Sequence, residues 1–379
     1  MATYLDCNAT TPIEPSVLAL VTRFMERDYG NAASPVHDFG VFARMAVEHA
    51  RGQVSELVRA RRDEVIFTSG ATEANNMALL GLAEYGLAQG RRHIISTPIE
   101  HKAVLEPLAE LKRLGFEVEL LEVGTDGRLD PQSLVNALLP DTLLVSTMQV
   151  NNETGVSQPL EEISAILAAH PAFWHVDAAQ GFGKQIPQLQ DLRIDLISVS
   201  GHKIYGPKGI GALIARKRGN DFPPLRPLMY GGGQEQGFRP GTLPVPLIAG
   251  FGEAAKLALR RHAERAERCR AFRAAALKAL APLSPVFNGA QEHVLPHCVN
   301  LSFRDIPSDR AISALKPHIA VSSTSACTSH TRTPSHVLAA MGLPEDLIES
   351  SFRMSWCHLT PQPDWTAVVD TLKSLRHTR

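Results

Sequence analysis

Between residues 63 and 216, seven short apolar runs of β type alternate with stretches of helical period, and few folds accommodate that rhythm. The runs read EVIFTS, HIIST, EVELLEV, TLLVSTMQV, FWHVD, DLISVS and GALIA. Between most of them lie amphipathic stretches such as ATEANNMALLGLAEYGLAQG and PLEEISAILAAH. Strands that are apolar along their whole length need cover on both faces, and intervening helices supply it. The pattern predicts an α/β unit with a mostly parallel seven-stranded sheet. A long helical pattern rich in Ala, Arg, Glu and Leu follows over 246–280, long enough to run between two domains. Beyond it HCVNLSF reads as a strand, and AISALK, HVLAAMG and PDWTAVVDTLKSLRH read as helices. That is too little for a second parallel sheet and predicts a smaller α+β domain. The expected division is 15–255 for the large domain, and 1–14 plus 256–379 for the small one.

The length of 379 residues suffices for two such domains. Lys and Arg (38) nearly balance Asp and Glu (39), so no basic footprint for direct nucleic-acid binding is expected. The opening MATYLDCNATTP has neither the basic nor the apolar region of a signal peptide. No uninterrupted apolar stretch of about 18 residues predicts a membrane span. The cysteines Cys7, Cys269, Cys298, Cys327 and Cys357 are odd in number, far apart and without a C-x-x-C pair. Neither a disulfide framework nor a metal site is expected, and a reducing, cytoplasmic setting fits best. Cys269 and Cys298 read as small buried hydrophobes.

Ligands of open α/β sheets bind beyond the carboxyl ends of the strands, and five of those ends here carry polar groups. Gly70-Ala71-Thr72 follows the first run, Glu100-His101 the second, Asn151-Asn152-Glu153 the fourth, Asp177 to Gln180 the fifth, and Ser200-Gly201-His202-Lys203 the sixth. Ser69 to Thr72 lies between strand and helix, where free N–H groups and a hydroxyl make a phosphate cup; it reads equally as an ordinary helix start. Lys203 ends an apolar strand among glycines that allow close backbone approach. Burial would lower its pKa and favour the free amine that a Schiff base requires. Asp177 at a strand end needs a partner, either a pyridinium nitrogen or backbone N–H groups. His101 can stack on a flat ring and shuttle protons, or cap the helix HKAVLEPLAELKRLG. The run VSSTSACTSHTRTPS has no periodicity and reads as a loop that exposes Cys327 for nucleophilic use.

YLDCNATTP, FTSGATEANNMAL, EHKAVLEP, VNNETGV, HVDAAQ, SGHKIYGPKGIGAL, GGGQEQGFRPGTLPV and SSTSACTS occur in this order. Together they resemble the NifS/IscS-type cysteine desulfurases, a group of the class-V aminotransferases, from Tyr4 to the SFRMS segment. The resemblance implies a pyridoxal 5'-phosphate transferase of fold type I, built as a homodimer. Its small domain carries the catalytic-cysteine loop. It implies that Lys203 binds the cofactor covalently, that Asp177 pairs with the pyridine nitrogen and that Gln180 contacts the ring oxygen. His101 would stack on the ring, and Ala71, Thr72, Ser200 and His202 would hold the phosphate. Thr242 would reach the phosphate of the partner subunit, and Asn152 and Arg353 would bind the substrate carboxylate. Cys327 would take sulfur from L-cysteine as a persulfide, leave L-alanine, and pass the sulfur to an acceptor protein. The SACTS motif resembles the group serving iron–sulfur assembly and tRNA thiolation, which includes the desulfurases of DNA phosphorothioation.

Several positions depart from that pattern. Cys7 stands where the family usually has Asn, Thr324 where it has Gly, and Pro240 where it has Ser. Trp356 and Cys357 follow Arg353 in SFRMSWCHLT. Thr324 and Pro240 are expected to stiffen local backbone, and Trp356 and Cys357 to bear on how the Cys327 arm packs. Two rival readings remain. One is another fold-type I enzyme, such as a selenocysteine lyase or an aminotransferase, which would not need Cys327. The other is a non-catalytic sulfur-delivery scaffold.

Overall fold

The computed structural model describes residues 2–323, 326–328 and 331–376, with side chains at 2–323 and 334–376. A short strand β1 (Thr3–Tyr4) opens the chain. Seven strands then build one sheet: β2 (Val65–Thr68), β3 (His93–Ser96), β4 (Glu117–Leu120), β5 (Thr142–Met148), β6 (Phe173–Asp177), β7 (Leu196–Ser200) and β8 (Gly211–Ala215). Their spatial order is β2-β8-β7-β6-β5-β3-β4, and only β8 runs against the others. The mostly parallel seven-stranded sheet expected from the apolar runs is the one observed.

Adjacent residues of each strand feed opposite faces. Phe67, Ile95, Val145, Val176 and Ile197 pack against the helices Pro15–Glu26 and Asp38–Leu57 and the first half of a long helix, Val245–Leu280. Ile66, Ile94, Leu144, Leu196 and Leu213 pack against Ala71–Leu80 and Lys102–Arg113. Covering both faces removes the need for alternation, which is why these strands read as unbroken apolar runs. The edges are managed differently. On β4, Glu117 and Glu119 face solvent and discourage further pairing. On β2, a buried ion pair satisfies the free edge: Arg51 donates to the Val65 carbonyl at 2.6 Å, and the Phe67 N–H donates to Glu235 at 2.7 Å. Arg51 and Glu235 join at 2.7 and 2.8 Å.

A second core lies beyond the long helix. The antiparallel sheet β12-β15-β10-β9 uses β9 (Val286–Phe287), β10 (Cys298–Ser302), β12 (Ser322–Ser323) and β15 (Ser351–Ser355). β1 pairs in parallel with β11 (Ile319–Ala320), which brings the chain start into this region. Helices Ser308–Leu315 and Trp365–Arg376 cover the sheet. The long helix crosses between the cores, with Ile248, Phe251 and Ala255 in the first and Cys269, Phe272 and Ala276 in the second. At about 1.5 Å per residue, its 36 residues span about 54 Å.

The segment read as a loop around Cys327 contains a two-stranded antiparallel ribbon. Here β13 (Ala326–Thr328) pairs with β14 (Thr331–Thr333), with Cys327 opposite Arg332. The strands ACT and TRT carry the β propensity of Thr but no apolar alternation, so periodicity does not reveal them. The exposure of the Cys327 thiol, its distance from Lys203 and the effect of Thr324 lie outside the described residues. Trp356 is fully buried in the second core, stacked on Phe272 at 4.9 Å, with its indole N–H donating to the Cys269 carbonyl. Cys357 packs against Cys7 and Tyr205.

Candidate active site

A cavity of about 660 Å³ opens at the carboxyl ends of the strands. One wall is the turn after β2. The helix Ala71–Leu80 starts there with no side-chain cap on its first turn. Its leading N–H groups have no partner within the helix, so they and the positive helix end face the cavity. Close packing makes this turn possible: a Cβ on Gly211 of the neighbouring strand would lie 2.4 Å from the Val199 carbonyl oxygen and 2.7 Å from Gly70 Cα. Glu73 holds the turn from behind, accepting the Ser69 N–H at 2.6 Å and pairing with Arg239 at 2.9 Å. Ala71, Thr72, Ser200 and His202 all line this end of the cavity.

Asp177 stands at the end of β6, 5% exposed. One carboxylate oxygen accepts the Ala179 N–H at 2.9 Å, and the other accepts the Asn75 amide at 2.8 Å. Asn75 was not among the residues expected here. It lies one turn inside the helix Ala71–Leu80, fully buried, and its signal was an Asn on an otherwise apolar helix face. Gln180 donates to the Asn8 carbonyl at 2.9 Å. The side-chain oxygens of Gln180, Asn8 and Asn75 are buried without a protein partner among the described residues. Buried polar atoms of that kind call for a polar ligand.

Lys203 ends the short turn Gly201–Lys203 after β7. Its amine donates to the carbonyls of Asn8 and Ala9, the latter at 2.9 Å. Burial is the main force on it, with Lys184 and Arg353 adding repulsion, and together they lower its pKa to about 7. Asp6 and Asp177 pull the other way. A free amine is thus abundant at neutral pH. His202 is lowered to about 4 by burial and then by Lys203, and its Nδ1 lies 3.1 Å from the Thr10 hydroxyl. His101 caps its helix and also stands at the cavity. Its Nδ1 accepts the Ala103 N–H at 3.1 Å and caps the helix Lys102–Arg113, while the ring lines the cavity. Burial holds the imidazole below its ordinary pKa against the pull of Asp177. With Nδ1 accepting, the ring proton sits on Nε2. Behind it, burial and then Asp177 push fully buried Glu100 up to about 8.

The second core closes the cavity. Arg353 on β15 donates to the Asn152 carbonyl at 2.7 Å and to Asp6 at 2.5 Å. Asp6 and Asn8 were not foreseen as site residues. They belong to YLDCNATTP, whose polar run follows β1, and only the fold brings that run over Lys203. Of the residues given a role at the site whose side chains are described, all but Thr242 line this cavity. Thr242 is exposed and lines a separate cavity with Asn31, Arg44 and Glu48. Taken together, the uncapped helix start, a carboxylate held facing inward, a neutral histidine and a poised amine fit pyridoxal phosphate.

The family model described as aminotransferase class-V matches residues 3–367. A cysteine desulfurase IscS of Anaeromyxobacter sp. (strain Fw109-5) is 46% identical over 370 residues, covering 97% of this chain and 90% of that protein. The chain belongs to the class-V aminotransferase family, as a cysteine desulfurase. A mitochondrial cysteine desulfurase of Eremothecium gossypii is 44% identical over 372 residues, covering 97% of this desulfurase chain and 75% of that protein. Among solved structures, DndA from Streptomyces lividans superposes with a TM-score of 0.82 at 50% identity, covering 94% of this chain and 99% of that one. Cysteine desulfurases are enzymes that transfer sulfur, which sets aside the reading as a non-catalytic scaffold. No described helix of this one is long and apolar enough to cross a membrane.

Proposed function

We propose that this cysteine desulfurase binds pyridoxal phosphate in the Lys203 cavity and moves the sulfur of L-cysteine to Cys327. The observation that carries this reading is the Lys203 amine, lowered to about 7 inside a cavity that also holds Asp177 and His101. Bound pyridoxal phosphate supplies an electron sink for the α-carbon of an amino acid. Ala71, Thr72, Ser200 and His202 would hold its phosphate, and Asp177, fixed by Asn75, would keep its ring nitrogen protonated. Gln180 and His101 would fix the plane of the ring. Lys203 would hold the cofactor covalently and then exchange the α-proton. Asn152 and Arg353 would hold the substrate carboxylate. The reaction balances as L-cysteine plus the Cys327 thiol giving L-alanine plus a Cys327 persulfide. An acceptor protein then takes the sulfur, for iron–sulfur assembly, tRNA thiolation or DNA phosphorothioation.

The reading includes a homodimer in a cytoplasmic setting, and a division into domains near residue 255, where the long helix leaves the first core. An apolar strip supports the dimer: Val36 is 87% exposed, Phe39, Phe42 and Met45 are exposed beside it along the chain, and exposed Tyr29 stacks on Phe39. Patches of this kind mark interfaces. The cavity of Thr242 adjoins the same helix, which suits a residue that reaches the partner subunit. The test is alanine and sulfide release from L-cysteine with a reductant. Cys327→Ser should abolish both while keeping the colour of the bound cofactor, and Lys203→Ala should lose the colour. Undiminished alanine from Cys327→Ser would favour a lyase that does not use this thiol.

A further inference from the structure

Away from the Lys203 cavity, two cysteines 350 positions apart in sequence meet. Cys7 is 1% exposed and Cys357 3%, and with Tyr205 they form a small apolar cluster. The Cys7 thiol packs against Cys357. The Thr360 hydroxyl donates to the Cys357 sulfur at 3.4 Å, while accepting the Cys357 N–H at 2.9 Å. The half-buried Lys184 side chain lies close enough that its positive charge would favour a thiolate on either residue. Both thiols line their own cavity of about 380 Å³, walled by Tyr4, Thr10, Pro12, Leu359, Thr360 and Pro361. Tyr4 and Leu359 stand at 41% and 43% exposure, so the cavity opens to solvent. None of the residues lining it carries a charge.

We propose that Cys7 and Cys357 form a thiol–disulfide exchange site whose substrate is a small uncharged disulfide. Geometry assigns the roles. Cys357, whose sulfur accepts the Thr360 hydroxyl, is the attacking thiolate; Cys7, packed against it, is the resolving thiol. The neighbouring Cys7 thiol is the largest influence that lowers Cys357 to about 6, and the same pairing raises Cys7. The Cys357 thiolate attacks one sulfur of the substrate, forms a mixed disulfide and expels one thiolate. Cys7 yields its proton, attacks the Cys357 sulfur and expels the second thiolate. The expelled thiolates take up the Cys7 proton and one from solvent. Two protein thiols are oxidised to one disulfide, and the substrate disulfide is reduced to two thiols. The site touches the catalytic cavity through the backbone, because Cys7 lies between Asp6, the partner of Arg353, and Asn8, whose carbonyl receives Lys203.

The test uses holoenzyme carrying Cys327→Ser, which removes the competing thiol. The protein is incubated with hydroxyethyl disulfide, blocked with N-ethylmaleimide and mapped by peptide mass. A Cys7–Cys357 linked peptide, reversed by dithiothreitol, is expected. Adding Cys7→Ser should trap the mixed disulfide on Cys357. Adding Cys357→Ser should slow modification of Cys7 by at least about tenfold. Recovery of Cys7 and Cys357 as two alkylated thiols after prolonged incubation would overturn the proposal, and so would a mixed disulfide forming as fast on Cys7 as on Cys357. The linked-peptide measurement keeps both cysteines, so it stands even where a variant of the pair fails to fold.

Discussion

If burial and its charged neighbours hold Lys203 near pH 7, capture of the cofactor by apoenzyme should show it. Only the neutral amine adds to an aldehyde. With a pKa of about 7, half of the Lys203 side chains are neutral at neutral pH. An ordinary lysine, near 10.4, is neutral at pH 7 in roughly one molecule of 2,500. The environment therefore supplies about a thousandfold more reactive amine. The assay mixes apoenzyme with pyridoxal phosphate from about pH 6 to about pH 9 and follows the absorbance of the bound form. Rates are divided by those of a free alkylamine corrected to its neutral fraction, which cancels the titration of the cofactor itself. The corrected rate should rise about tenfold per pH unit below pH 7 and level off above it. Asp6→Asn should move the midpoint to lower pH, for two reasons of the same sign. The Asp6 carboxylate favours the Lys203 ammonium, and it also occupies Arg353, which repels that ammonium. A rate that climbs without a break to pH 9 would refute the reasoning, since it would leave Lys203 with an ordinary pKa.

Asn75→Ala removes the amide that donates to Asp177 at 2.8 Å and leaves a buried carboxylate oxygen unsatisfied. At about 1–3 kcal/mol for such a loss, cofactor affinity should fall about five- to 150-fold in a spectroscopic titration, and an unchanged Kd would mean that Asn75 does not hold Asp177. Trp356→Ala empties the stack on Phe272 and the hydrogen bond to Cys269 in the second core. The expected cost is about 3–5 kcal/mol, read as an earlier denaturant midpoint; a loss under about 1 kcal/mol would show that the core closes over the gap.

The seven strands and their mostly parallel sense were legible because six of them, covered by helices, are buried throughout and leave runs such as TLLVSTM, while the edge strand β4 alternates Glu with Val and Leu. The strand ends were legible for a related reason. A strand buried on both faces has nowhere to hide a charge, so Asp177 and Lys203 at its end stand out against an apolar background. The β13–β14 ribbon was not legible, since a run of Thr and Ser satisfies strand and loop alike.

What the sequence determined by itself was therefore the large sheet and the polar set at its carboxyl edge, where order along the chain and order of chemistry coincide. What the tertiary structure decided was everything brought from afar. It folded Asp6 and Asn8 over Lys203, aimed Arg353 into the same cavity, and moved Thr242 to a different one. It also placed Cys7 against Cys357, which their spacing had given no reason to pair. The physical reason is common to all of these. Local pattern reports which face of an element is buried, but not which distant segment buries it, and that is settled only when β1 pairs with β11 and β15 packs above the strand ends.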